Sequence, residues 1–127
     1  MERKNTAIVL AAGQGKRMNS RDIILVTGAE SVAFCKEEIV EKYGLTKVTK
    51  VIPGGKERYD SVYEGLLACR DTEYVLIHDG ARPFITEEII RRGIQGVEKT
   101  GACVIGMPSK DTVKIADTQG YVAETPE

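Results

Sequence analysis

Five short apolar runs, rich in β-branched residues, are set apart by polar stretches of helical spacing or by glycine turns. They are Ala7-Ile8-Val9, Ile23-Ile24-Leu25-Val26, Val48 to Ile52, Tyr74-Val75-Leu76-Ile77 and Ala102 to Met107. Most are too short for helices, and their apolar character is continuous rather than alternating. Such runs read as strands buried on both faces of a parallel sheet. The segments between them carry helix signals. Ser31 is placed to cap a helix with Val32, Cys35, Ile39 and Tyr43 on one face, and Gly44 to stop it. A second helix is expected from about Glu57 to Cys69, with Val62, Leu66 and Cys69 as its stripe. Thr86 is placed to cap a third, with Glu87 and Glu88 favouring the helix dipole. This alternation predicts an α/β fold: an open, mostly parallel twisted sheet with helices on both faces.

One connection breaks the rhythm. Between the first run and Ile23 stand only a glycine loop and Asn19-Ser20-Arg21-Asp22. A parallel crossover needs about a dozen residues, usually with a helix, so residues are expected to be missing between Ser20 and Arg21. The sequence also ends at Thr125-Pro126-Glu127 without a closing element, and we expect one single, incomplete domain over residues 1–127. Its last part differs in character. Thr112 to Ile115 and Tyr121 to Glu124 alternate apolar and polar around Asp117-Thr118-Gln119-Gly120, a turn sequence. This predicts a protruding β-hairpin arm over about residues 109–125. An isolated hairpin is marginal in water, and a second subunit would support it.

Composition excludes several classes. The 127 residues carry a net charge of −1, which gives no general attraction to nucleic acid or to anionic membranes. No stretch approaches the roughly 20 apolar residues of a membrane span. The apolar run at the N-terminus is too short for a secretory signal and meets basic residues at once. Cys35, Cys69 and Cys103 are widely spaced, and His78 is the single histidine. That pattern suits reduced thiols in a cytoplasmic protein and offers no zinc site.

Three loops carry the chemistry. The first is Leu10-Ala11-Ala12-Gly13-Gln14-Gly15-Lys16-Arg17-Met18. Glycines after a strand bring bare backbone amides close to a ligand, and Lys16 and Arg17 add cationic donors, which together make a phosphate site. Met18 stands where the dinucleotide fingerprint needs its third glycine, and Arg17 where a P-loop needs Ser or Thr. The second loop, Pro53-Gly54-Gly55-Lys56-Glu57-Arg58-Tyr59-Asp60-Ser61-Val62, is again strand end, glycine turn and helix start; a flat group is expected against Gly54-Gly55. The third is His78-Asp79-Gly80-Ala81-Arg82-Pro83. Asp79 follows a buried strand, and beside phosphates its carboxylate suits Mg²⁺. Arg82 offers a planar fork to a second phosphate. An Asp79–Arg82 ion pair within the turn is compatible with either role, and His78 is expected to be structural.

The segment L-A-A-G-x-G-x-R-M resembles the signature loop of nucleotidyltransferases that make NDP-sugars and CDP-alcohols. With P-G-G-x-x-R-x-x-S-V, H-D-G-A-R-P-F and D-T-V-K, in that order, the chain resembles the 2-C-methyl-D-erythritol 4-phosphate cytidylyltransferases. The resemblance implies a nucleotidyltransferase-type, Rossmann-like sheet. It also implies a CTP-dependent step of isoprenoid precursor synthesis, in which CTP and the sugar-alcohol phosphate give a CDP-alcohol and pyrophosphate. Ala11, Ala12, Gly13, Gly15 and Arg17 would hold the triphosphate, and Gly54, Gly55 and Ser61 the cytidine. Asp79, Ala81 and Arg82 would hold the region of ribose, metal and substrate phosphate, with Arg17 and Asp79 as the catalytic pair and Mg²⁺ at Asp79. Asp111 and Thr112 would open an arm that the family exchanges across a homodimer, which would make Thr112 a substrate-binding residue at a site shared with the twin subunit.

Two departures stand out. The family's P-K-Q segment, with its phosphate-contacting lysine, is absent, and so are an arginine after the arm and a lysine near the C-terminus. Binding with impaired catalysis is the corresponding expectation. A ribitol-5-phosphate cytidylyltransferase is the nearest alternative, and a non-catalytic nucleotide-binding regulatory domain is the alternative of another class. The scarcity of histidine agrees with the chemistry. A phosphate monoester is already anionic at neutral pH, with a second pKa of about 6, and needs no general base.

Overall fold

The computed structural model describes residues 5–10 and 22–126. Its centre is a four-stranded, all-parallel sheet of order β3-β2-β1-β4: β1 (Asn5–Leu10), β2 (Asp22–Thr27), β3 (Val48–Pro53) and β4 (Tyr74–Asp79). The four runs read as strands in this part of the sequence are all strands. Ala7, Ile8 and Val9 in β1 are essentially inaccessible to solvent, as expected of a central strand with neighbours on both sides.

The two faces divide the core. On one face Ala7, Val9, Ile23, Leu25 and Val51 pack with Cys35 and Ile90. On the other, Ile8, Ile24 and Val26 pack with Ile52, Ala68 and Cys69. The period-2 alternation of Cβ directions along β1 and β2 produces this division. The first face is covered by a mixed helical segment and by α3. The segment comprises a 3-10 turn Ala29–Ser31, one α turn α1 (Val32–Phe34) and a π-helical stretch Cys35–Glu41. α3 (Glu87–Thr100) is capped as its sequence suggests. The Thr86 hydroxyl accepts from the Ile89 N–H at 3.3 Å, and Gly101 ends the helix in the left-handed region at φ 81°.

The second face is covered by α2 (Arg58–Ala68). Its bounds match the expected helix, and its stripe does so in part: Val62 and Cys69 are half-buried, but Leu66 is not. Leu66 is 43% exposed, and the buried line runs through Val62, Gly65 and Ala68. Close packing over β1 decides this: a Cβ at Gly65 would lie 2.6 Å from Cγ2 of Ile8.

Two further expectations need correction. Ser31 makes no side-chain cap, and Tyr43 lies half exposed beyond the helical stretch. The Lys42 and Leu45 N–H groups bond to Glu37 and Val40, five residues back, so a stripe counted at the α-helical period drifts off its face. Ala102 to Met107 is not a strand. It is exposed, with Val104 at 95%, and follows α3, where bare Gly93 and Gly96 meet Ile105 and Cys103. Its side chains lie against those glycines of α3, and it pairs with no strand of the sheet.

The hairpin is present but shorter than read: β5 (Ile115–Ala116) and β6 (Val122–Glu124) pair antiparallel. One Asp117 oxygen accepts from the N–H groups of Gln119 and Tyr121, each at 2.9 Å, and Gly120 supplies the positive φ. Val113, Ile115, Tyr121 and Val122 are all exposed. Among the described residues no helix is long and apolar enough to cross a membrane.

Candidate functional site

All four parallel strands point their carboxyl ends the same way, so Leu10, Thr27, Pro53 and Asp79 share one sheet edge. From β1 the chain moves outward to β2 and β3. It then crosses back under α2 to β4, on the other side of β1. The direction of winding therefore reverses between β1 and β4. Open α/β sheets bind ligands at such a reversal, in the crevice beyond the carboxyl ends. Here the reversal sets Leu10, where the first loop departs, directly against Asp79 in register. The Gly80 N–H donates to the Leu10 carbonyl at 2.7 Å and ties the third loop to the root of the first. The first-loop residues Ala11, Ala12, Gly13, Gly15 and Arg17 lie outside the described residues, as does the expected break at Ser20–Arg21.

The glycine loop after β3 is braced from within. The Gly54 N–H reaches the Thr27 carbonyl at 2.8 Å. Ser61 Oγ accepts from the Gly55 N–H and donates to the Glu57 carbonyl, both at 3.2 Å. Asp60 accepts from the Glu57 N–H at 3.0 Å and closes the start of α2. The glycines are required by this packing: a Cβ on Gly54 would lie 2.6 Å from Ser61 Oγ, and one on Gly55 2.2 Å from Asp60 Cβ. Their bareness thus has an intramolecular cause that the sequence reading, which set a flat ligand against them, did not include.

The third loop is a tight turn. The Arg82 N–H bonds back to the Asp79 carbonyl at 2.9 Å, and His78 Nε2 lies 3.0 Å from the Arg82 carbonyl oxygen. That backbone contact is the kind expected of a structural histidine, while its Nδ1 is buried without a hydrogen-bond partner. Ala81 and Arg82 are exposed at the edge. The expected Asp79–Arg82 pair exists but is loose, at 3.6 Å between Arg82 Nε and Asp79 Oδ2.

The stronger partner of Asp79 is Arg58, to which the sequence reading assigned no role. Its Nη2 and Nε donate to Asp79 Oδ1 at 2.6 and 3.0 Å. Arg58 sits at the first position of α2, and Asp79 ends β4, three strand spacings from β3 in the sheet. A cation leaving a glycine loop opposite a lone carboxylate on another loop was the available signal. Using it required the strand order.

Thr112 lies exposed in the irregular chain before β5, outside both loops. Among the described residues no cluster of three or more acidic, histidine or cysteine side chains could hold a metal by itself. Asp79 fits Mg²⁺ in a more limited way. Oδ1 is committed to Arg58, whereas Oδ2 has only the loose Arg82 contact, which leaves one carboxylate oxygen for an ion that brings phosphate ligands with it.

Away from this edge, burial pushes the Cys69 thiol above its usual range, with the Lys50 ammonium opposing the shift.

Comparison with known proteins agrees with this arrangement. A model of the family "2-C-methyl-D-erythritol 4-phosphate cytidylyltransferase" matches residues 20–127. A protein of that name from Lachnoclostridium phytofermentans is 44% identical over 151 residues, covering 98% of this chain and 65% of the relative. One from Clostridium botulinum is 43% identical, covering 97% of this chain and 66% of the relative. The crystal structure described as 4-diphosphocytidyl-2C-methyl-D-erythritolsynthase from Anaerococcus prevotii superposes with a TM-score of 0.81 at 34% identity. It shares 98% of this chain and 64% of its own. The chain therefore spans a little under two thirds of these relatives' length. The 151-residue alignment exceeds the 127 residues of this chain, so at least 24 residues of the relative have no counterpart within it.

Proposed function

The chain belongs to the 2-C-methyl-D-erythritol 4-phosphate cytidylyltransferase family, and from that premise we propose that it joins CTP to 2-C-methyl-D-erythritol 4-phosphate. The products are the CDP-alcohol and pyrophosphate, in isoprenoid precursor synthesis. The observation that carries this reading is the carboxyl edge at the winding reversal, where Asp79 and Arg82 stand beside the root of the first loop.

In the proposed mechanism the alcohol phosphate, already an oxyanion, attacks the α-phosphorus of CTP, and pyrophosphate leaves. The protein aligns the two and offsets charge on the transferring group. The amides of Ala11, Ala12, Gly13 and Gly15 and the Arg17 fork hold the triphosphate. The Gly54-Gly55 loop, shaped by Ser61, receives cytidine. Asp79 and Ala81 face the ribose, and Arg82 meets the alcohol phosphate. Asp79 would hold Mg²⁺ through its less committed carboxylate oxygen, and the ion would supply charge neutralisation on the phosphates.

Two structural proposals accompany this. The exposed apolar residues of the hairpin support a homodimer in which the arm, with Thr112 at its root, reaches the twin subunit. The alignment excess and the start of the family match at residue 20 support an internal segment missing near Ser20, between β1 and β2. Free thiols at all three cysteines suit a cytoplasmic location.

The test is pyrophosphate release by the chain with CTP and Mg²⁺, with methylerythritol phosphate and ribitol 5-phosphate in parallel. Release with the first alone supports the proposal. Release with ribitol 5-phosphate alone overturns the substrate assignment. CTP binding without release from either favours the nucleotide-binding regulatory alternative.

A further inference from the structure

We propose that Arg58 is a positioning residue: it holds Asp79 so that Arg82 stays free to meet a phosphate. This rests on the proposed reading in which Arg82 receives the alcohol phosphate.

The argument begins with charge. Two guanidiniums flank one carboxylate, so the trio carries one net positive charge at the edge. The sharing is unequal. Arg58 places two donors on Oδ1, at 2.6 and 3.0 Å, while Arg82 stands 3.6 Å from Oδ2, beyond hydrogen-bond distance. Arg82 is also the most exposed of the three, with 79% of its side chain accessible against 62% for Arg58 and 29% for Asp79. The surplus charge therefore resides on the arginine that faces solvent.

The base of Arg58 explains the asymmetry. It leaves the first turn of α2, where Glu57, Asp60 and Ser61 fix the backbone by hydrogen bonds. Its head then reaches the end of β4. The contact joins the loop after β3 to the turn after β4, across the ends of β2 and β1, a distance of roughly 14 Å in strand spacings. Arg82, by contrast, lies only three residues from Asp79 within one turn. Without Arg58, the adjacent carboxylate would take Arg82 as its full partner, and an incoming phosphate would have to break that pair first. Arg58 also fixes the separation between the glycine loop and the Asp79 turn, on which simultaneous contact with both substrates depends.

The experiment uses three variants: Arg58→Gln, Arg58→Lys and Asp79→Asn. Arg58 is largely exposed, so the two Arg58 variants are expected to keep the fold, checked by melting temperature. We expect Arg58→Gln to raise KM for the alcohol phosphate about tenfold while kcat changes less than about threefold. Arg58→Lys, which keeps the charge but not the fork, should restore part of the loss. Independently of turnover, the Arg58 Nε–H resonance in the wild-type protein should be protected from exchange and become unprotected in Asp79→Asn. In Arg58→Gln the Arg82 Nε–H should gain the protection. An active wild type with unchanged KM in Arg58→Gln overturns the proposal, as does an Arg58 resonance indifferent to Asp79→Asn. An inactive wild type whose resonances shift as expected sinks the functional reading and leaves the latch standing.

Discussion

Ile8 in the centre of the sheet rests against the bare backbone of Gly65 in α2, so closely that a Cβ there would stand 2.6 Å from its Cγ2. Alanine at a helix interior normally gains about 1 kcal/mol over glycine. Here the added methyl must displace a β-branched side chain that has no exposed surface, and overpacking of that kind costs about 1–3 kcal/mol. Gly65→Ala should therefore lower stability despite its better helix propensity. Chemical denaturation checks the sign; a more stable variant would mean that α2 can lift off β1 at little cost.

Arg17→Lys tests the first loop directly. The substitution keeps the charge and removes the bidentate fork. A loss of tenfold or more in kcat/KM is expected, equivalent to about 1.4 kcal/mol of transition-state stabilisation. Wild-type kinetics would mean that the loop needs only a positive charge, or none.

Deleting residues 111–124 tests the arm. Since Val113, Ile115, Tyr121 and Val122 are exposed and contribute nothing to either core cluster, the remaining fold should melt within a few degrees of the intact chain. The deletion should convert dimers to monomers in sedimentation and remove most turnover. Full activity from an intact chain that sediments as a monomer at micromolar concentration would refute the shared site.

The cysteines give a pH prediction. Burial favours the neutral thiol of Cys69, and only the thiolate reacts with iodoacetamide. Its labelling should accelerate at a higher pH than that of a cysteine in a short peptide. Since the folded-state value is the raised one, any stability this group contributes is full at neutral pH and is lost as pH rises through that value. Mass spectrometry of timed labelling reads the order, with exposed Cys103 reacting ahead of buried Cys35.

Strands buried on two faces announce themselves in sequence, because continuous β-branched runs have few other uses, and β1 and β2 were legible for that reason; β3 and β4, only partly buried at the sheet edges, were legible from their β-branched and aromatic residues. Caps were equally local: Thr86 and the turn at Asp117 act within a few residues. Features set by tertiary packing were hidden. The exposure of Leu66 follows from a glycine contact with β1. Segment 102–107 runs against Gly93 and Gly96 instead of pairing, although its composition suits a strand. The site divides in the same way. Asp79 and the glycine loop could be found by motif, whereas Arg58 as the partner of Asp79 depended on knowing that α2 carries the chain across β2 and β1.

The hydrogen bond from Gly80 to Leu10 has a consequence for how binding could be watched. β1 is paired along its length on both sides, so its amides should exchange with deuterium only when the whole sheet opens, on the slowest timescale of the molecule. Gly80 borrows that anchorage through a single bond to the end of β1. Its exchange rate in the free protein measures how often the turn lifts away while the sheet stays closed. A ligand that seats between the first and third loops should slow Gly80 and leave β1 unchanged, which makes one backbone amide a reporter for occupancy of the crevice.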